Sequence, residues 1–136
     1  MENRTEKRGR APFFGTFFLI LLLTAGCDKS PSEPFARLVE QAASWAATAR
    51  YTSELQRSGQ VPHAYLQDVL KTGDQDLATL RAQLAKAKEI PQDVRDNAVG
   101  LTDDLRSLLS ADVPDTAKLQ QTEAQLRALA DKVRQS

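Results

Sequence analysis

The chain has few of the side chains that build catalytic or metal centres. Its 136 residues include one cysteine, Cys27, and one histidine, His63. A zinc site built from nitrogen and sulfur ligands usually takes four of them, and a Ser–His–Asp set needs a well-placed histidine. His63 follows Pro62 at a predicted helix start, where a solvated histidine is the simpler interpretation. No glycine-rich phosphate loop is present. We therefore expect no enzyme activity, catalytic residue, metal site, cofactor or small-molecule substrate.

Neither sign of charge dominates, since 18 basic residues balance 18 acidic ones. Four basic and two acidic residues lie in the first 26 positions, so the remainder of the chain is slightly acidic. A surface that binds nucleic acid needs a basic footprint. We therefore expect no nucleic-acid partner.

Only one long apolar run occurs, at residues 13–23. It is shorter than the roughly 20 residues that a membrane-spanning helix needs. A net basic segment precedes it, and the small residues Ala25 and Gly26 follow it. A basic start, a short apolar segment and small residues at the cut site are typical of a secretory signal. We predict that residues 1–26 are a cleaved signal peptide.

The signal ends in Leu23-Thr24-Ala25-Gly26-Cys27, which resembles the lipobox of bacterial lipoproteins. The resemblance covers residues 1 to about 30. It implies cleavage before Cys27 and diacylation of its sulfur with chains such as palmitate. Thr24 departs from the leucine that the family favours three places before the cysteine. Two or three acyl chains would hold the protein stably on a bilayer. The alternative is a secreted protein with a free thiol.

The residues directly after the cysteine bear on which of the two membranes holds the protein. Asp28, Lys29 and Ser30 resemble inner-membrane retention signals of lipoproteins in Gram-negative bacteria. The resemblance implies a lipid-anchored protein that faces the periplasm, at the inner rather than the outer membrane. Residues 27–34 also contain two prolines and several polar residues, a composition typical of a flexible tether.

From Phe35 onward the apolar residues recur every three or four positions, which indicates α-helix, and no segment alternates as a strand does. We predict a first helix over about 35–57 and a second from Val61-Pro62 to about residue 89. Ile90-Pro91 and Val113-Pro114 open a third and a fourth helix. Short connections predict an all-α, antiparallel up-down four-helix bundle over residues 35–136.

Gly73 lies in the apolar seam of the second helix. It either ends one helix and starts another, or lies within one helix and lets a neighbour approach closely. The unbroken phase of the seam favours one helix. The predicted inner face of the first helix consists of small and apolar residues: Phe35, Leu38, Val39, Ala42, Ala46 and Ala49.

Tyr51 and Leu55 lie on the opposite face of the first helix. They either pack against the following turn and Tyr65, or form an exposed patch for a protein partner. These features predict a non-catalytic interaction or accessory subunit of an envelope complex, tethered to the membrane through its lipid. The alternative is a periplasmic binding module, of a chaperone-like, sensor or immunity type, that captures a soluble partner.

Overall fold

A computed structural model describes residues 30–136. The predicted signal peptide, Cys27, Asp28 and Lys29 lie outside the described residues, and Ser30 is exposed at their start. Within residues 30–136, no helix is both long enough and apolar enough to cross a bilayer.

Four helices make up the described part of the chain, which contains no strand: α1, Ser32–Arg57; α2, His63–Ala85; α3, Gln92–Leu109; and α4, Thr116–Gln135. Consecutive helices pack on each other and α4 packs on α1, which closes a ring; the contact between α1 and α4 is the most extensive. Ion pairs between α1 and α4 show that these two helices are antiparallel, because a residue early in one helix pairs with a residue late in the other. Arg50 contacts Glu123, for example, whereas Arg134 contacts Glu33. The predicted all-α antiparallel bundle is confirmed.

Proline lies at the starts of α2 and α3, but directly before the first helical residue and not, as predicted, at the first helical position. Pro62 and Pro91 are the N-cap residues of α2 and α3, with extended ψ angles of 158° and 142°, and so precede the first helical residue. At α4 the cap is Asp115, whose Oδ1 accepts a hydrogen bond from the backbone N–H of Lys118 at 3.2 Å. Pro114 therefore lies outside the helix. The aspartate satisfies an amide that has no partner inside the first turn.

Two helix ends differ from the predicted positions. α1 begins at Ser32 and not at Phe35, so residues 32–34 of the predicted tether are helical. Pro34 is tolerated there because amides of a first helical turn have no intrahelical partner. α2 ends at Ala85, before the predicted position 89. The chain needs those residues to reverse direction and to bury Ile90 in the core.

Small side chains let α1 lie close to its neighbours. Its alanines at positions 42, 43, 46 and 49 are all buried. The predicted inner face is confirmed except for Leu38, which is half-buried against the core. The polar residues Thr52, Ser53 and Thr102 are also buried. Their hydroxyls donate to the carbonyl four residues earlier, at 2.7–2.8 Å, so burying them leaves no unpaired donor.

Gly73 lies inside one continuous helix, as predicted, and two other helices approach it closely. A Cβ at this position would lie 2.9 Å from Cε3 of Trp45 in α1 and 3.0 Å from Cδ1 of Leu109 in α3. The edge of the indole ring therefore occupies the space that a side chain on α2 would fill.

Candidate functional site

The bundle has two ends with different contacts. At one end, Arg134 near the C-terminus pairs with Glu33 at 3.0 Å and also with Glu40, both on α1. We call this the proximal end, because the described chain enters the bundle there. At the distal end, Asp112 in the α3–α4 turn accepts a hydrogen bond from Gln67 on its carbonyl, at 2.9 Å, and its Oδ1 lies 3.2 Å from Nε2 of His63. His63 is exposed and helps to join α2 to this turn.

The sequence-predicted patch lies in the distal half of α1. Tyr51 is 62% exposed, so the alternative in which it is packed under the following turn does not hold for this side chain. Leu55 is half-buried, and its carbonyl accepts a 2.8 Å hydrogen bond from the amide of Gln60, which folds the turn back onto the helix. The other large exposed apolar side chains of residues 30–136 are Tyr65 and Val113, at the start of α2 and in the α3–α4 turn. All three therefore lie in the half of the bundle remote from the proximal end.

Ion pairs connect α1 firmly to α4. Glu123 accepts hydrogen bonds from Arg50 at 3.0 Å and from Arg127 at 3.1 Å, and its side chain is only 15% exposed. Burial alone would raise the pKa of Glu123, but these two hydrogen bonds outweigh it and lower the pKa. The hydrogen bond from Arg134 likewise lowers the pKa of Glu33. Both carboxylates are thus held in the charged form by the fold.

A second set of ion pairs joins α2 to α3. Nε of Arg81 donates to Asp103 at 2.6 Å, and Nε of Arg106 donates to Asp74 at 2.8 Å. The hydrogen bond to Asp74 raises the pKa of Arg106. Within residues 30–136 no ion pair crosses from α3 to α4, although acidic and basic side chains lie on both helices.

A shallow groove instead follows the α3–α4 seam. It consists of two cavities of about 290 and 450 Å³ that share Gln125. The first is lined by residues of both helices: Asn97, Leu101, Gln125, Ala128, Leu129 and Lys132. The second is lined nearer the distal end by Asp104, Ser107, Leu108, Lys118, Gln121, Thr122 and Gln125. The sequence did not lead us to this groove. The signal that could have found it is the seven-residue spacing of Lys118, Gln125 and Lys132.

Acidic residues form no cluster suited to a cation in the described part of the chain. No group of three or more His, Cys, Asp or Glu side chains between residues 30 and 136 is arranged to hold a metal ion. The nearest approach to a shared site is the contact of His63 with Asp112, and both side chains are exposed.

No protein-family model matches the chain, and no curated protein or solved structure is detectably similar to it.

Proposed function

We propose that this protein is a lipoprotein of the cell envelope, held on the periplasmic side of a membrane by Cys27. We further propose that it is a non-catalytic interaction subunit whose partner is another envelope protein. Support for the tether comes from the lipobox-like sequence and the signal that precedes it. Support for the interaction role comes chiefly from the 62% exposure of Tyr51, the most exposed of the three large apolar side chains at the surface of residues 30–136. Tyrosine is enriched among interface residues because it offers a large amphipathic surface with few rotatable bonds.

The geometry of the bundle suits this role. α1 begins four residues after Asp28, which allows at most about 14 Å of extended chain between them. A lipid on Cys27 would therefore keep the proximal end next to the bilayer. A helix of 26 residues is about 39 Å long. Tyr51, Tyr65 and Val113, in the distal half, would then face away from the lipid surface, where a partner could reach them.

Acylation is the first test of the proposal. Cells expressing the full chain are labelled with a radioactive fatty acid, and processing is followed with and without an inhibitor of lipoprotein signal peptidase. We expect label on the wild type and accumulation of precursor with the inhibitor. Cys27→Ala should carry no label. A wild-type precursor that is processed normally despite the inhibitor would contradict the tether.

The second test determines which membrane holds the protein. Asp28 and Lys29 suggest retention at the inner membrane, by their resemblance to known sorting signals. In a Gram-negative host, replacing both with serine should move the protein to the outer membrane. Recovery of the wild type in the outer-membrane fraction would contradict this part of the proposal.

The partner surface is tested by affinity purification of the lipidated protein from its own membranes. Tyr51→Ser should leave the thermal melt nearly unchanged, because changes at exposed positions usually stay within about 0.5 kcal/mol. It should reduce recovery of whichever membrane protein co-purifies. Lys88→Ser is a matched control, since Lys88 is exposed in the turn at the proximal end. Recovery of soluble polypeptides in place of a membrane protein would favour a periplasmic binding module instead.

A further inference from the structure

The side chain of Trp45 divides a groove that follows the seam between α1 and α2. Two cavities lie along this seam, one of about 400 Å³ toward the proximal end and one of about 220 Å³ toward the distal end. Trp45 is half-buried and lines both. A Cβ on Gly73 would lie 2.9 Å from Cε3 of its ring, so the indole lies at the height of Gly73 on α2. An aromatic ring is therefore within reach from both halves of the groove.

Two carboxylates lie on the α2 wall, one in each half of the groove. Asp76 lines the larger cavity and Asp68 lines the smaller one. Their positions are about 12 Å apart along the helix axis, at 1.5 Å per residue. Gly73 lies between them in the chain, so the indole lies between them in height. Both are exposed, and among residues 30–136 neither has an ion-pair partner.

The other polar side chains of the groove offer hydrogen-bond acceptors and no positive charge. The hydroxyls of Ser44 and Thr48 each donate to the carbonyl four residues earlier, at 3.0 and 2.8 Å. A hydroxyl has one proton, so toward a ligand these two oxygens act as acceptors, and the side-chain carbonyls of Gln41 and Gln83 accept as well. No basic side chain of residues 30–136 lines either cavity, and Lys71 on α2 lies outside both. The lining thus complements a cation that carries N–H donors.

From the ring, the two carboxylates and this lining, we propose that the α1–α2 groove binds a linear polyamine such as spermidine. Spermidine carries a cationic nitrogen at each end and one within the chain, joined by flexible methylene segments. When extended it reaches from Asp68 to Asp76, so each terminal ammonium donates to one carboxylate. The middle of the ligand then lies against Trp45, where the ring attracts a cation. The polyamine is a bound ligand and not a substrate.

The spacing of the carboxylates favours a chain-like cation over a metal ion. A divalent ion takes several oxygens that converge on one point. Between residues 30 and 136 no group of three or more His, Cys, Asp or Glu side chains is arranged in that way. Asp68 and Asp76 instead lie on either side of an apolar ring, an arrangement matched by cationic nitrogens joined by methylenes. Neither the lipid on Cys27 nor the partner of Tyr51 enters this proposal.

Fluorescence titration tests the site, because Trp45 is the only tryptophan. The full chain is purified in mild detergent and titrated with spermidine at constant ionic strength, and magnesium chloride is titrated in parallel. We expect a saturable change in the emission of Trp45 with spermidine and no such change with magnesium. The affinity for spermidine should fall as sodium chloride is raised, because salt screens exposed charges.

Two variants and a shorter ligand test whether the polyamine spans the groove. Asp68→Asn and Asp76→Asn should each weaken spermidine binding about fivefold, because each removes one exposed charge pair. Putrescine, a diamine too short to reach both carboxylates, should bind the wild type about fivefold more weakly than spermidine for the same reason. The difference between the two ligands should shrink in either variant.

Asp131→Asn is a matched control, because it removes the same charge from an exposed position on α4 that lines neither cavity. It should keep the wild-type affinity for spermidine. All three asparagine variants should melt as the wild type does, since the replaced carboxylates are exposed. Weaker binding by the groove variants would then not be an effect of unfolding.

Three results would overturn the proposal. One is an emission of Trp45 that does not respond to spermidine, or that responds equally to magnesium. Another is equal weakening in Asp131→Asn and in the groove variants, which would indicate general attraction to an acidic surface. The third comes from trilysine amide as a further probe: tighter binding than spermidine, with the same dependence on Asp68, would show that the groove takes a basic polypeptide instead.

Discussion

The contact of Trp45 with Gly73 leads to a sharp comparison between two glycine substitutions. Each places a methyl group inside a helix, and in an open helical site that change stabilises the folded chain by about 0.5–1 kcal/mol. At Gly100 nothing lies within 4 Å of the new atom, so Gly100→Ala should gain that amount. At Gly73 the methyl group would lie 2.9 Å from the indole ring and 3.0 Å from Leu109. Overpacking of this kind usually costs about 1–3 kcal/mol.

The two alanine variants should therefore differ by about 1–3 kcal/mol, with Gly73→Ala the less stable. For a domain of this size, 1 kcal/mol corresponds to about 4–8 °C in melting temperature. The assay is a circular dichroism melt of the chain from Asp28 onward. Trp45 is the only tryptophan, so its fluorescence reports directly on the contact and should change in Gly73→Ala alone.

The ring can be tested directly as well. If the indole is the obstacle, Trp45→Phe should make the alanine at position 73 less costly, and the double-mutant cycle should show coupling of at least about 0.5 kcal/mol. Equal melting temperatures for Gly73→Ala and Gly100→Ala, with unchanged tryptophan emission, would refute the reasoning. They would mean that α1 and α2 do not approach each other at this point.

Three further predictions follow from the ion pairs, the cap and the core. Because the folded-state pKa values of Glu33 and Glu123 are lowered, the unfolded chain takes up protons first, near the usual pKa of about 4.3. Their stabilisation is complete above that pH and is lost as the pH falls through the lowered values. Glu123→Gln should therefore reduce the loss of melting temperature between pH 6 and 3, whereas Asp131→Asn, at a 72% exposed side chain, should not. In urea unfolding, Asp115→Ala should cost about 1 kcal/mol as a lost N-cap. Leu126→Ala, at a fully buried site, should cost about 2–5 kcal/mol, and a cost below 1 kcal/mol would contradict its place in the core.

Helical periodicity predicted the fold well because each helix buries one stripe. The spacing of apolar residues predicts a seam on the second helix at Leu66, Leu70, Gly73, Leu77, Leu80, Leu84 and Ala87. The first six are buried in one unbroken helix, whereas Ala87 lies past its end and is half-buried. The errors lie at the ends, where local signals conflict. Pro34 indicated a break, yet a first turn tolerates proline. Glu33 in that turn is held by Arg134, which lies 101 residues later and cannot be inferred from local sequence.

The candidate surfaces were harder to predict, for physical reasons. The phase of α1 placed Tyr51 outside the core correctly, because exposure follows from periodicity. It did not show that Leu55 is half-buried, because the phase of one helix does not say how neighbouring segments cover its outer face. The α3–α4 groove depends on how far apart two helices lie, and hence on packing across the whole bundle. Local sequence does not show that Asp104 and Lys118, on different helices, line the same cavity.

The ion pairs are distributed unevenly among the four seams of the bundle. Ion pairs join α1 to α4 and α2 to α3, while the indole of Trp45 packs into α2 at Gly73. Of the four seams between neighbouring helices, α3–α4 is the one with neither kind of connection among residues 30–136. The exposed Tyr51 lies on α1, which forms no part of that seam. A substitution in that seam, such as Gly100→Gln, should therefore leave Tyr51 free to bind a partner. If Gly100→Gln reduced co-purification as much as Tyr51→Ser does, the partner surface would have to include both α1 and the α3–α4 seam.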